Sequence, residues 1–113
     1  MADDAALIAT ADDNTFDDMV LRSPLPILVS FGATWCVKCK ALHPTLTAIA
    51  ADYQDRMKVV HVDVDQSPSL TEKFDIASLP ALLFFKNGEQ CGSLPGVLPK
   101  SKLVELIEDF LAV

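Results

Sequence analysis

A chain of 113 residues, half of them hydrophobic, suits one compact domain with its own core. No run nears the roughly 18 apolar residues of a membrane span, and the acidic start Met1-Ala2-Asp3-Asp4 lacks a secretory signal's basic and apolar regions, so a cytoplasmic location is expected. Of the net charge of −7, six aspartates fall in the first 18 residues, where there is no Lys or Arg; the remainder is nearly neutral and has no basic patch for nucleic acid.

The elements follow in chain order. Residues 1–12 form an acidic lead that keeps this end solvated, with an apolar stretch from Ala5 to Thr10 that reads as an edge strand. Asn14 is placed to cap a helix running to about Leu21, with Asp17 and Asp18 in the first turn, where the dipole favours anions. Ser23-Pro24-Leu25-Pro26 ends it. Pro26 to Gly32 is apolar without alternation and predicts a strand covered on both faces. A helix from Cys36 to about Tyr53 buries Leu42, Leu46, Ile49 and Ala50, and Pro44 should kink it. Lys58 to Val64 is the next strand. Ser67-Pro68 supplies an N-cap and a first-position proline for a helix to about Phe74. Ala81 to Lys86 is a strand, Asn87-Gly88 a hairpin turn, and Glu89 to Leu94 the returning strand. Leu103, Val104, Leu106, Ile107 and Phe110 mark a final amphipathic helix from Pro99 to Leu111.

This order, β-α-β-α-β-α-β-β-α, is α/β. The unit from Pro26 to Val64 is a right-handed parallel crossover, and the closing hairpin adds antiparallel strands. The expected result is a single domain over residues 1–113, built on a central mixed sheet of about five strands flanked by helices on both faces. Its core comes from Ile27, Leu28, Val29, Phe31, Val60, Val62, Leu82, Leu83 and Phe84.

Three cysteines, Cys36, Cys39 and Cys91, are too few for a secreted disulfide scaffold. A close pair at a strand–helix junction points to dithiol chemistry or a metal. A thiol at a helix N-terminus faces unpaired N–H groups and the positive dipole end, which stabilise the attacking thiolate. In the zinc or cluster reading the pair is joined by His43, Cys91 or His61. In the redox reading His43 is a helix-surface residue and Cys91 is either a small buried hydrophobe or a regulatory or intermolecular thiol.

The residues also carry a resemblance. Trp35-Cys36-x-x-Cys39-Lys40 follows an apolar strand, and Pro44 lies in the next helix. Val62-Asp63-Val64-Asp65 follows, then Leu79-Pro80 before Ala81-Leu82-Leu83-Phe84-Phe85-Lys86-Asn87-Gly88, and Gly96 near the end. In this order, from about Asn14 to Leu111, the chain resembles the thioredoxin family. The resemblance implies the thioredoxin fold and a protein disulfide reductase whose only redox group is the Cys36–Cys39 disulfide, with no cofactor or metal. Cys36, read as the more exposed sulfur, attacks a partner disulfide, and Cys39 resolves the mixed disulfide. The resemblance further implies that the Leu79–Pro80 bond is cis and lies beside the cysteines. The Leu79 backbone offers an edge to the substrate, Trp35 walls the groove, and Gly96 allows close approach. The implied partners are proteins with disulfides and a thioredoxin reductase that handles NADPH, with no nucleic acid or membrane. The protein itself is expected to be a monomer.

Five positions depart from the family pattern. Val37-Lys38 stands between the cysteines in place of Gly-Pro; Lys38 either stabilises the Cys36 thiolate, making the pair more oxidising and isomerase-like, or points into solvent. Ser30 replaces a buried Asp and His61 a Lys. His61 either exchanges protons with Cys39 or is an inert buried histidine bonded to Ser30. Gly32 stands where an aromatic residue is frequent and widens the floor beneath the motif. A thioredoxin-like adaptor or chaperone role stays open beside the reductase.

Overall fold

Six consecutive buried residues, Ile27–Gly32, form the central strand β2 of a computed structural model that describes residues 7–95 and 97–112. The other strands are β1 (Ile8–Ala11), β3 (Lys58–Asp63), β4 (Ala81–Lys86) and β5 (Glu89–Pro95). The helices are α1 (Val37–Asp52), α2 (Pro68–Lys73) and α3 (Lys100–Leu111), and a π-helical turn covers Asp17–Leu21. The sheet order is β1-β3-β2-β4-β5, with β1, β3 and β2 parallel, β4 antiparallel to β2, and β5 antiparallel to β4. This is the expected mixed sheet.

Because successive strand residues face opposite ways, the sheet separates two apolar layers. Leu28, Val59, Leu82 and Phe84 meet Leu42, Leu46, Ile49 and Ala50 of α1 and Leu103 and Ile107 of α3. On the other face Ile27, Val29, Phe31, Val60, Val62, Leu83 and Phe85 meet Phe16, Val20 and Leu70. Every core residue expected from the sequence is buried. Fully burying such a side chain contributes about 1.5–3 kcal/mol. Helix α1 runs through Pro44, whose ring lies on the exposed side.

The caps differ from expectation. Asn14 donates rather than caps: Asp12 Oδ1 accepts the N–H groups of Asn14 (2.9 Å) and Thr15 (3.0 Å), and Thr15 Oγ1 accepts the Asp12 N–H (3.0 Å). Ser67 makes no capping bond to α2. The Asp13 carboxylate reaches across the chain and accepts from Ser69 N–H (3.2 Å) and Leu70 N–H (3.0 Å). The aspartates of the first 18 residues are therefore partly structural, Asp13 satisfying donors that a helix start leaves open. The expected strand from Ala5 begins at Ile8; Ala5 and Ala6 lie outside the described residues, as does Gly96.

Cys91 is exposed, not buried. Phe84 pairs with Gly92 but Phe85 with Gln90, so Cys91 is the extra residue of a β-bulge. A bulged residue has no partner across the ladder, which breaks the alternation that would have turned it inward.

Candidate active site

Cys36 stands four residues beyond the end of β2 and has the extended backbone of an N-cap (φ −89°, ψ 108°). Its Sγ accepts the Cys39 N–H at 3.2 Å, taking the place a Ser or Asp oxygen fills in an ordinary cap. Cys36 and Cys39 are joined by a disulfide, with Cα atoms 5.3 Å apart. The expected order of exposure is reversed: Cys36 is 7 % exposed and Cys39 is half-buried. Gly32 lies against Cys39 and leaves its sulfur without the cover a side chain there would give.

The second part of the site comes from β4. In the antiparallel β2–β4 ladder Phe31 pairs with Ala81, so Pro80 is carried to the level of the cysteine turn. The Leu79–Pro80 peptide bond is cis. Leu79 and Pro80 line a cleft of about 430 Å³ together with Lys38, Ser93 and Val97. A second cleft of about 300 Å³ runs between Ala41 and Thr45 of α1 and Val97 to Pro99, again bordered by Lys38. Lys38 is exposed at the rim between the two.

Trp35 is two-thirds exposed and lines neither cleft. It is tied elsewhere, its indole N–H donating to Asp65 Oδ2 at 2.8 Å. Val37 and Val97 are also strongly exposed. Sequence reasoning missed Val97 and the role of Asp65; their signals were an apolar residue beside Gly96 and a carboxylate after the Val62–Val64 strand.

Beneath the motif, Ser30 is buried and pairs with His61 across the β2–β3 ladder. The His61 pKa is lowered, chiefly by burial and further by His43, against the opposing pull of Asp63 and of the Ser30 backbone. The contact between the two residues thus engages the Ser30 main chain. Among the described residues, no three His, Cys, Asp or Glu side chains cluster to hold a metal ion. Cys91, one of the further ligands the zinc reading offered, sits in the exposed bulge.

A helix-capping disulfide beyond the end of a buried central strand, with a cis-proline directly before the neighbouring strand, defines a thiol–disulfide oxidoreductase. The family profile described as Thioredoxin matches residues 7–109. The chain is 37% identical over 106 residues to Thioredoxin 1 of Synechococcus elongatus, covering 94% of this chain and 99% of the relative. It is 37% identical over 100 residues to the chloroplastic M-type thioredoxin of Chlamydomonas reinhardtii, covering 88% of this chain and 71% of that protein. The spinach M-type thioredoxin is 35% identical over 105 residues, covering 93% of this chain, which spans only 58% of that relative's length. The chain belongs to the thioredoxin family, and its redox group is its own Cys36–Cys39 disulfide. No helix among the described residues is long and apolar enough to cross a membrane.

Proposed function

We propose that this protein reduces disulfides of other proteins in the cytoplasm as a monomer, with Cys36 as the attacking and Cys39 as the resolving cysteine, and is re-reduced by a thioredoxin reductase. The observation that carries the assignment is the Cys39 N–H bond to Cys36 Sγ at the N-cap of α1. A donor aimed at that sulfur favours its thiolate. The thiolate attacks a substrate disulfide, and the leaving sulfur departs as a thiol. The Cys39 sulfur then attacks Cys36, closing the disulfide and releasing the second thiol. Leu79 and Pro80 border the cleft in which a substrate segment lies. Lys38 at its rim and the neighbouring Val37 modulate which segments enter.

The test is reduction of a protein disulfide in the presence of dithiothreitol. Cys36→Ser abolishes the acceleration. Cys39→Ser accumulates a mixed disulfide on Cys36. If Cys36→Ser instead traps the substrate on Cys39, the roles are reversed. A reduction potential near −270 mV fits a reductase, whereas about −200 mV moves the protein toward disulfide isomerisation.

A further inference from the structure

Gly32 lies between His61 and Cys39. A side-chain carbon built on Gly32 would stand 3.2 Å from His61 Cε1 and 3.3 Å from Cys39 Sγ. The imidazole edge and the resolving sulfur thus flank the same methyl-sized gap, and the gap exists because residue 32 has no side chain. The strand ladder fixes this arrangement. His61 is held opposite Ser30, and Asp63 opposite Gly32, on the sheet face that α1 covers.

Several groups act on the imidazole. Asp63 is on its own strand, the Ser30 backbone on β2, and His43 on α1 with Cys39; across the other ladder its partner is Thr10 of β1. Asp63 and Ser30 favour the imidazolium. Burial and His43 outweigh them, so the ring is neutral at pH 7 and free to take up a proton.

We propose that His61 is the proton acceptor for Cys39 in the resolving step, and that Gly32 is the positioning residue that lets the two approach. The proposal rests on the reading in which Cys36 attacks and Cys39 resolves. In the mixed disulfide, the Cys39 thiol passes its proton to the imidazole as its sulfur attacks Cys36 Sγ. The Cys36–Cys39 bond forms and the bond from Cys36 to the substrate sulfur breaks. That sulfur leaves with the electron pair and takes up a proton, while the imidazolium returns its own to solvent. Two electrons and two protons pass from the dithiol to the substrate, and no other reactant is required. General-base assistance of this kind contributes about 10²–10⁴-fold where it operates fully.

The experiment uses the reduced full chain and an aryl disulfide, 5,5′-dithiobis(2-nitrobenzoate), which releases one chromophoric thiolate on attack and a second on resolution. Both phases are followed from pH 5 to 9 in the wild type, His61→Gln and Gly32→Ala. The expected result is an unchanged first phase in His61→Gln and a second phase slowed at least tenfold at pH 6–7. Its pH dependence moves toward the ordinary thiol range, because Cys39 must then ionise alone. Gly32→Ala, which puts a methyl group into the gap, slows the same phase and keeps the proposal testable if His61→Gln fails to fold. A second phase with wild-type rate and pH profile in His61→Gln, or in Gly32→Ala if only that variant folds, overturns the role of His61. Loss of the first phase in Cys39→Ser but not in Cys36→Ser overturns the underlying assignment instead, so the two failures are distinguishable.

Discussion

The Trp35 indole N–H is bonded to Asp65 Oδ2 at 2.8 Å, a contact between residues thirty apart in sequence. It holds an exposed aromatic face beside the disulfide and joins the active-site turn to the segment between β3 and α2. Asp65→Ala removes the acceptor and leaves the ring to sample other rotamers. At about 1 kcal/mol for one such bond, KM for a protein disulfide should rise about fivefold. Turnover of a small aryl disulfide should stay near wild type. Steady-state kinetics with both substrates check the split, and tryptophan fluorescence reports the released ring directly.

Asp13 and Ser67 have exchanged the roles their positions suggest. Asp13 caps α2 from the segment after β1, whereas Ser67 is fully buried and its Oγ has no hydrogen-bond partner among the described residues. Asp13→Ala should lower stability by about 1 kcal/mol, the usual value of a cap. Ser67→Ala should be neutral or stabilising, since it removes a desolvated hydroxyl. Urea unfolding of both variants tests the pair; a larger loss from Ser67→Ala would reverse the assignment.

Gly92 lies under a ring. A Cβ there would stand 2.7 Å from Phe110 Cε1 and Cζ, and that ring is stacked on Phe84 with centroids 4.8 Å apart. Gly92→Ala should cost about 1–3 kcal/mol by overpacking. In a Phe110→Leu background the cost should shrink, giving a coupling above about 0.5 kcal/mol in a double-mutant cycle.

Stability should fall in two stages on acidification. His61 is held below its ordinary pKa by burial, so the unfolded chain takes up that proton first, and stability is lost as pH drops below about 6.5. Glu108 is held down to about 2 by hydrogen bonds from Arg56 and then from the Tyr53 hydroxyl. Its contribution is complete above the ordinary carboxylate pKa and disappears as pH falls toward 2. Tyr53 is pushed up to about 12, first by burial and then by Glu108, so its contribution is lost between pH 10 and 12. Urea midpoints against pH should lose the upper acid stage in His61→Gln. The lower stage should flatten in Glu108→Gln.

Much of this was legible in the chain. The unbroken apolar run at Ile27–Gly32 and the Leu42, Leu46, Ile49, Ala50 stripe fixed the layers, because burial on two faces or on one leaves distinct periods. Asn87-Gly88 marked its turn because both residues adopt positive φ, 55° and 79°. Contacts that depend on tertiary approach were not legible. Asp13 capping a helix 56 residues on, the Asp65 tie to Trp35, and the bulge that turns Cys91 outward follow from packing, which local pattern does not encode. The relative burial of Cys36 and Cys39 was misread for the same reason: it depends on what lies against each sulfur, and Gly32 lies against one of them.

The pairing of Phe31 with Ala81 has a consequence for how the sequence can change. The cysteine turn and Pro80 belong to segments some forty residues apart, and one strand ladder sets the spacing between them. An insertion or deletion of a single residue between Ile27 and Phe31 would shift one half of the site by about 3.4 Å against the other and turn every following side chain to the opposite face. Change of length is therefore closed to this strand. Divergence at the active site is left to substitution in place, as at Ser30, Gly32, Val37 and Lys38, where the side chains differ while the frame between sulfur and proline is kept.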